Sequence, residues 1–381
     1  MMMTRWPAVP LGDLLTLNLD PRMLEPDCRY PIAGVYGFGR GIIRRPAILG
    51  QEISATQLFQ IKSGQFIYSR LKSFEGAFAI VTEDADGYFV SNEFPTFNVN
   101  SGRVVPGFLR WWFKRPITWD LLASEVRGIG ARRERLHPDQ LLQSKIPLPS
   151  LDEQHHIVAQ LDGVEQQVES RTRGANEMEA ELGATLMAGF QKITTTAPRK
   201  RMGDIAPLVR REIEIDPEAF YPELGIRSFG KGTFHKPPVQ GMNVGARTLY
   251  RIRTGDLLFN ITFAWEGAVA VAKDHDNGRF ASHRFLSLVP NSDYATAAFL
   301  RYYFLTPEGI AKLNSLSPGS AGRNRVLSLK KMLNMEVPLP SLDGQLWFDS
   351  LQDKAYNARA RSAEVAAELT HLLPAMLNQV F

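Results

Sequence analysis

The sequence predicts an α+β protein made by tandem duplication. Two globular domains alternate with two long helices, which pair as an antiparallel coiled coil about a pseudo-two-fold axis. Three observations predict this. One phrase occurs twice, IPLPSLDEQ at Ile146–Gln154 and VPLPSLDGQ at Val337–Gln345, a shift of 191 residues in a chain of 381. A long stretch of helical periodicity follows each copy. Ahead of each copy lie short apolar or alternating runs punctuated by Gly, Asn and Asp, the pattern of β-strands joined by turns.

The same shift of 191 residues relates nearly everything else. Leu11-Gly12-Asp13 returns as Met202-Gly203-Asp204, and YPIAGVYGFGRG (Tyr30–Gly41) as YPELGIRSFGKG (Tyr221–Gly232). FEGAFAIV (Phe74–Val81) becomes WEGAVAVA (Trp265–Ala272), and FLRWWF (Phe108–Phe113) becomes FLRYYF (Phe299–Phe304), with no net insertion or deletion. The expected organisation is a globular domain over 1–150, a helix over 151–192, a second domain over 193–341 and a second helix over 342–381. Helical segments after Phe108 and Phe299 are each interrupted by a proline, Pro116 and Pro307.

The proline pairs Pro147/Pro149 and Pro338/Pro340 hold the chain extended and forbid helix. Ser150 then stands three residues before Glu153, the spacing of a capping box; the second copy has Gly344 at the Glu position, so the second helix is expected to fray more readily. Apolar residues then alternate at spacings of three and four. The seam runs through Ile157, Leu161, Val164, Val168, Met178 and Leu182 in the first helix, and through Leu351, Ala355, Ala358, Val365, Leu369 and Leu372 in the second. Gly183 and Pro374 fall at equivalent positions and should weaken or bend both helices.

Hydrophobic content of 44% with 22% charged residues describes a soluble globular chain, with no apolar run of membrane-spanning length. No signal peptide is evident, and the cytoplasm is the expected location. The single cysteine, Cys28, excludes an internal disulfide, and no Cys/His spacing suggests a zinc site. The net charge of +4 hides a division. Asp152–Lys192 carries eight acidic and three basic residues, Asp343–Phe381 five and three, and the remainder is therefore basic by +11. Basic surface outside the helices points to a polyanionic partner.

No enzyme signature emerges. GFGRG (Gly37–Gly41) misses the dinucleotide fingerprint because Ile42 occupies the third glycine position. There is no Walker loop, no G-x-S-x-G and no H-E-x-x-H. Glu75 and Glu266, in the repeated F/W-E-G motif, read as buried acids that hold a loop. His155 and His156 have Leu346 and Trp347 as counterparts, which argues against catalysis or metal binding there. What remains is binding. The candidate DNA contacts are Arg40, Arg44 and Arg45 with their counterparts Lys231, His235 and Lys236. To these are added Arg70 and Lys72, the loop residues Arg132, Arg133 and Arg135, and the loop residues Arg323, Asn324 and Arg325. Arg pairs with guanine and Asn with adenine in a bidentate manner. Taken singly, each reads somewhat better as a solvated surface charge; as a set, the loops are more convincing.

With the proline phrases leading into long helices, the F/W-E-G-A motif and the glycine-rich basic stretch before each phrase, the whole chain resembles the specificity subunit of a Type I restriction–modification system. The resemblance implies a non-catalytic host-defence protein. Each domain would read one half of a bipartite site on double-stranded DNA, and the helices would fix the spacing of the half-sites. Implied partners are two methyltransferase subunits, which carry the S-adenosylmethionine chemistry and flip the target base, and restriction translocase–nuclease subunits; no cofactor is expected on this chain. Halves alike in scaffold and different in their contact loops predict a non-palindromic target. The alternatives are a coiled-coil scaffold that joins protein partners without DNA readout, and a methyltransferase or nuclease of unfamiliar design.

Overall fold

The computed structural model describes residues 6–126, 135–319 and 325–381. The chain divides into two units, one of Met1–Ala175 with Ala363–Phe381, the other of Asn176–Ser362. Each unit thus takes a globular part together with segments of both long helices, Leu151–Thr194 and Leu342–Val380.

In the first unit, strand Ala8–Pro10 pairs antiparallel with Lys145–Pro147, so the opening of the proline phrase is a strand. A five-stranded sheet runs in the order Pro21–Met23, Gln57–Gln60, Phe89–Val90, Arg29–Val35, Ile42–Leu49, which leaves Ile42–Leu49 on an edge. A second sheet of four strands orders Leu15–Leu17, Thr96–Val99, Phe66–Tyr68 and Phe78–Ile80. Helices Pro106–Phe113 and Pro116–Val126 are separated at the expected proline, which sits in the first turn where its missing N–H costs nothing. Trp111, Tyr68, Phe66, Phe97, Phe108 and Phe113 are fully buried and form one core with Ile157 and Leu161 of the first long helix and Leu377 of the second.

The second unit repeats this plan at the same shift. Strand Phe220–Ile226 pairs with edge strand Thr233–Gln240, with its register break between Pro222 and Leu224, equivalent to the break between Pro31 and Ala33 in the first. Arg199–Arg201 pairs with Glu336–Pro338. Within this unit the long helices run antiparallel. Ile193 lies against Gly344, Leu351 lies against Gly189, and Glu179 pairs with Arg359 at 2.7 Å. A Cβ on Gly189 would meet Leu351 Cδ2 at 2.9 Å, so the absent side chain permits the close approach.

The first helix has 44 residues and the second 39, about 66 and 58 Å at 1.5 Å per residue. Both remain helical through Gly183 and Pro374. Of the seam residues, Ile157, Leu161 and Ala355 are buried, and Leu182 and Leu351 pack against the core of the second unit. Val164, Val168, Met178, Ala358 and Leu369 are half-buried, whereas Val365 and Leu372 are 41% and 39% exposed.

Both helices begin in the same way. Ser150 Oγ accepts from Glu153 N–H at 3.4 Å, and Ser341 Oγ from Gly344 N–H at 3.3 Å, so the hydroxyl cap survives the loss of Glu. The final Gln of each phrase is fully buried. Gln154 Oε1 accepts from Val105 N–H, and its Nε2 donates to the carbonyls of Arg103 and Pro149. Gln345 does the same with Thr296 N–H and the carbonyls of Tyr294 and Pro340. The phrase therefore ends in an amide latch that ties the helix to its globular part, a role its sequence alone did not reveal.

Candidate nucleic-acid interface

The edge hairpin of each unit carries a repeated turn, YGFGRG in the first and RSFGKG in the second. Tyr36 N–H donates to Gly41 O and Arg227 N–H to Gly232 O, closing the two turns identically. Phe38 and Phe229 sit at φ 61° and 59°, the only non-glycine residues at positive φ among those described. Such a conformation costs about 1–3 kcal/mol and persists only where neighbours over-determine it. Here they do. Phe38 N–H donates to Glu75 O and Gly39 N–H to Gly76 O; Phe229 N–H donates to Glu266 O and Gly230 N–H to Gly267 O.

This explains the repeated F/W-E-G motif and corrects the reading of its acid as buried. Glu75 is exposed and Glu266 half-exposed, and in both copies the backbone carbonyl, not the carboxylate, pins the turn. The Glu266 carboxylate adds a bond from Ser228 Oγ at 2.9 Å.

The strained rings are not core residues. Phe38 is 60% and Phe229 73% exposed. A cation lies over each, with Arg40 Cζ 5.9 Å from the Phe38 ring and 5.0 Å from Tyr36, and Lys231 Nζ 5.9 Å from Phe229. Exposed aromatic faces beside cations, held rigid on a turn, suit stacking or wedging against bases next to phosphate. The sequence reading fixed on the charge of the turn and missed the rings. The signal was a Phe kept before a glycine in both copies, in GFG and SFG.

Arg40, Arg44 and Arg45 are exposed on one hairpin, as Lys231 and His235 are on the other, with Lys236 half-exposed. Arg44 pairs with Asp84 at 2.9 Å, and Lys236 lies 3.9 Å from Glu223. Charge and the prolines Pro46, Pro237 and Pro238 also protect an edge strand from pairing with another chain, a structural role that these residues serve at the same time.

The other candidates are not on the hairpins themselves. Lys72 is exposed, 3.8 Å from Glu75, and Arg135 pairs with Glu93 at 3.1 Å. Arg70 is half-buried with an unpartnered, buried Nε. Arg325 is turned inward. Its Nε donates to Ser317 O at 3.1 Å, its Nη2 to Asn314, and its guanidinium lies 4.5 Å from the Trp265 ring, which makes it a strut at the end of helix Pro307–Ser315. Arg132, Arg133, Arg323 and Asn324 lie outside the described residues. Among the described residues, no helix is long and apolar enough to cross a membrane.

No protein-family profile matches the sequence, and no curated protein matches it. Solved structures do. The HsdS subunit from Thermoanaerobacter tengcongensis superposes with a TM-score of 0.58 at 19% identity, covering 99% of this chain and 97% of that one. A chain from a structural study of complex assembly and conformational transition in the type I R-M system gives 0.65 at 22% identity, over 98% and 97%. The Type-I restriction-modification system S subunit from M. genitalium gives 0.55 at 14% identity, over 100% and 97%. Over its whole length the chain therefore has the fold of Type I restriction–modification specificity subunits.

Proposed function

We propose that the chain is the non-catalytic, sequence-specific DNA-recognition subunit of a Type I restriction–modification complex. In this reading the regions 1–150 and 193–341 are target-recognition domains, each reading one half of a bipartite target. The long helices set the gap between half-sites and dock two methyltransferase subunits, which bring S-adenosylmethionine; translocase–nuclease subunits complete a cytoplasmic restriction assembly. The carrying observation is the edge hairpin, present twice with one backbone and different side chains. Tyr36 faces Arg227 in the alignment of the two copies, Arg44 faces His235, and Arg45 faces Lys236. Equal frames with unequal readers favour a non-palindromic target.

A comparison of methylated sites in cells with and without the gene yields both half-sites and their spacing. Replacing Phe38 and Arg40 together by Ala should then alter preference at one half-site only. Equal loss at both half-sites would mean that the readers lie elsewhere in the chain, and absence of salt-dependent DNA binding would remove the reading in favour of a protein-joining scaffold. DNA modification by the purified chain alone would instead favour an enzyme.

A further inference from the structure

We propose that the second unit holds a site for a divalent transition-metal ion of the zinc type, formed by His235, His275 and Asp276. The three residues come from edge strand Thr233–Gln240 and the short helical turn Asp274–Asp276. His235 Nε2 lies 2.9 Å and His275 Nε2 3.6 Å from the same oxygen, Asp276 Oδ1, and the three donor atoms lie within 4.8 Å of one another. Zinc–ligand bonds of about 2.0–2.1 Å in a tetrahedron put donors about 3.3 Å apart, so two of these separations already bracket the required edge. Two imidazoles and a carboxylate with an open fourth position form a donor set suited to zinc and its neighbours.

The carboxylate is prepared for this. Asp276 is fully buried, and its other oxygen, Oδ2, accepts from Thr233 Oγ1 at 2.9 Å and from Lys273 N–H at 3.0 Å, which aims Oδ1 at the imidazoles. Both histidines are exposed, so an ion has access and water can fill the fourth position. The Lys273 ammonium is occupied over the Tyr356 ring, 4.8 Å away.

The first unit supplies an internal control. At the positions of His235, His275 and Asp276 it has Arg44, Asp84 and Ala85, and the same strand is joined to the same turn by the Arg44–Asp84 ion pair. One duplicated strut is therefore a fixed ion pair in one copy and a metal-responsive cluster in the other. The metal would lock the reading hairpin of the second unit alone. His235 lies 41 positions before Asp276 in the chain, so no local spacing announces the full set.

The test uses the full, untagged chain. Zn²⁺ is titrated against a chromophoric chelator, Co²⁺ is bound for its visible absorption, and the unfolding temperature is measured with and without Zn²⁺. One equivalent is expected, with a tetrahedral Co²⁺ spectrum and a rise in unfolding temperature. His275→Ala retains the His235–Asp276 bond and so preserves the turn; it and His235→Arg should each weaken binding by about tenfold or more. A double variant, His155→Ala with His156→Ala, should bind as the parent does. Absence of saturable binding, undiminished binding in His275→Ala, or loss only in the His155/His156 variant would each overturn the proposal.

Discussion

The joint between long helix and globular part is built differently in the two copies. In the first, an ionic cluster is added to the apolar contact. Arg110 reaches Asp162 at 2.6 Å and Glu165 at 2.7 Å, Lys114 also grips Glu165, and Trp111 Nε1 donates to Asp162 at 2.7 Å. In the second, Leu305, Tyr302 and Tyr356 stand at the positions of Lys114, Trp111 and Glu165, and Arg301 turns away to donate to Gly230 O at 2.7 Å. Leu305 and Tyr356 take the place of the ions, and an aromatic cluster is present, with Phe348 4.8 Å from Tyr302 and 5.7 Å from Phe190. The amide latch beside the joint is the same in both. Duplication has preserved the backbone-fixing latch and varied the side-chain pairs around Glu165 and Tyr356. Burial is interchangeable with ionic pairing, whereas a backbone N–H or carbonyl needs a partner of the right kind at one point.

The largest expected effect tests the aromatic joint. Phe348 is fully buried, and Phe348→Ala should destabilise the second unit by about 4 kcal/mol through the cavity it leaves. The latch comes next. Gln154→Ala and Gln345→Ala each strand one N–H and two carbonyls, an expected cost of about 3 kcal/mol. Denaturant unfolding should give similar losses for the two variants. A marked inequality would break the equivalence of the latches.

The polar joint should respond to pH through Glu165. Burial alone would raise the Glu165 pKa, but Lys114 and Arg110 outweigh it and hold the carboxyl below the ordinary glutamate range. A depressed folded-state pKa contributes stability above the unfolded value, near about 4.3, and loses it as pH falls through the folded value. Glu165→Gln should therefore cost about 1–2 kcal/mol at neutral pH. The gap between variant and parent should close as acid protonates Glu165 in the parent. A gap independent of pH would mean that the joint is held by packing alone.

Much of this was legible in the sequence because the signals were local and said twice. The proline phrase and the proline breaks before Pro116 and Pro307 announce extended chain and helix start without reference to distant residues, whereas the heptad pattern includes Val365 and Leu372, which are exposed. The interface was less legible. Positive charge drew attention to Arg325 and Arg70, but only the fold reveals that Arg325 caps carbonyls at the end of a helix and that Arg70 has a buried Nε. The aromatic tips went unnoticed because their distinction lies in a backbone angle. Gln154 and Gln345 close the repeated phrase, yet the N–H groups they accept from, on Val105 and Thr296, lie 49 residues away.

The smallest expected effect bears most directly on what the hairpins are for. Phe229 is held at positive φ with its ring exposed, where glycine would fit without strain. Phe229→Gly removes a strain of about 1–3 kcal/mol and adds back about 0.4–1 kcal/mol of unfolded-chain freedom. The net expectation is a gain of about 1 kcal/mol, roughly 3 °C in the unfolding temperature of the second unit. If the ring contacts bases, the same change should weaken binding of the assembled complex to the second unit's half-site by about tenfold, near the low end of what one stacked base contributes. Its preference at the other half-site should not move. A variant both more stable and poorer at one half-site would show strain retained for recognition. If stability rises and both half-sites are bound as before, the ring is a by-product of the turn, and recognition falls to the charged edge strand alone.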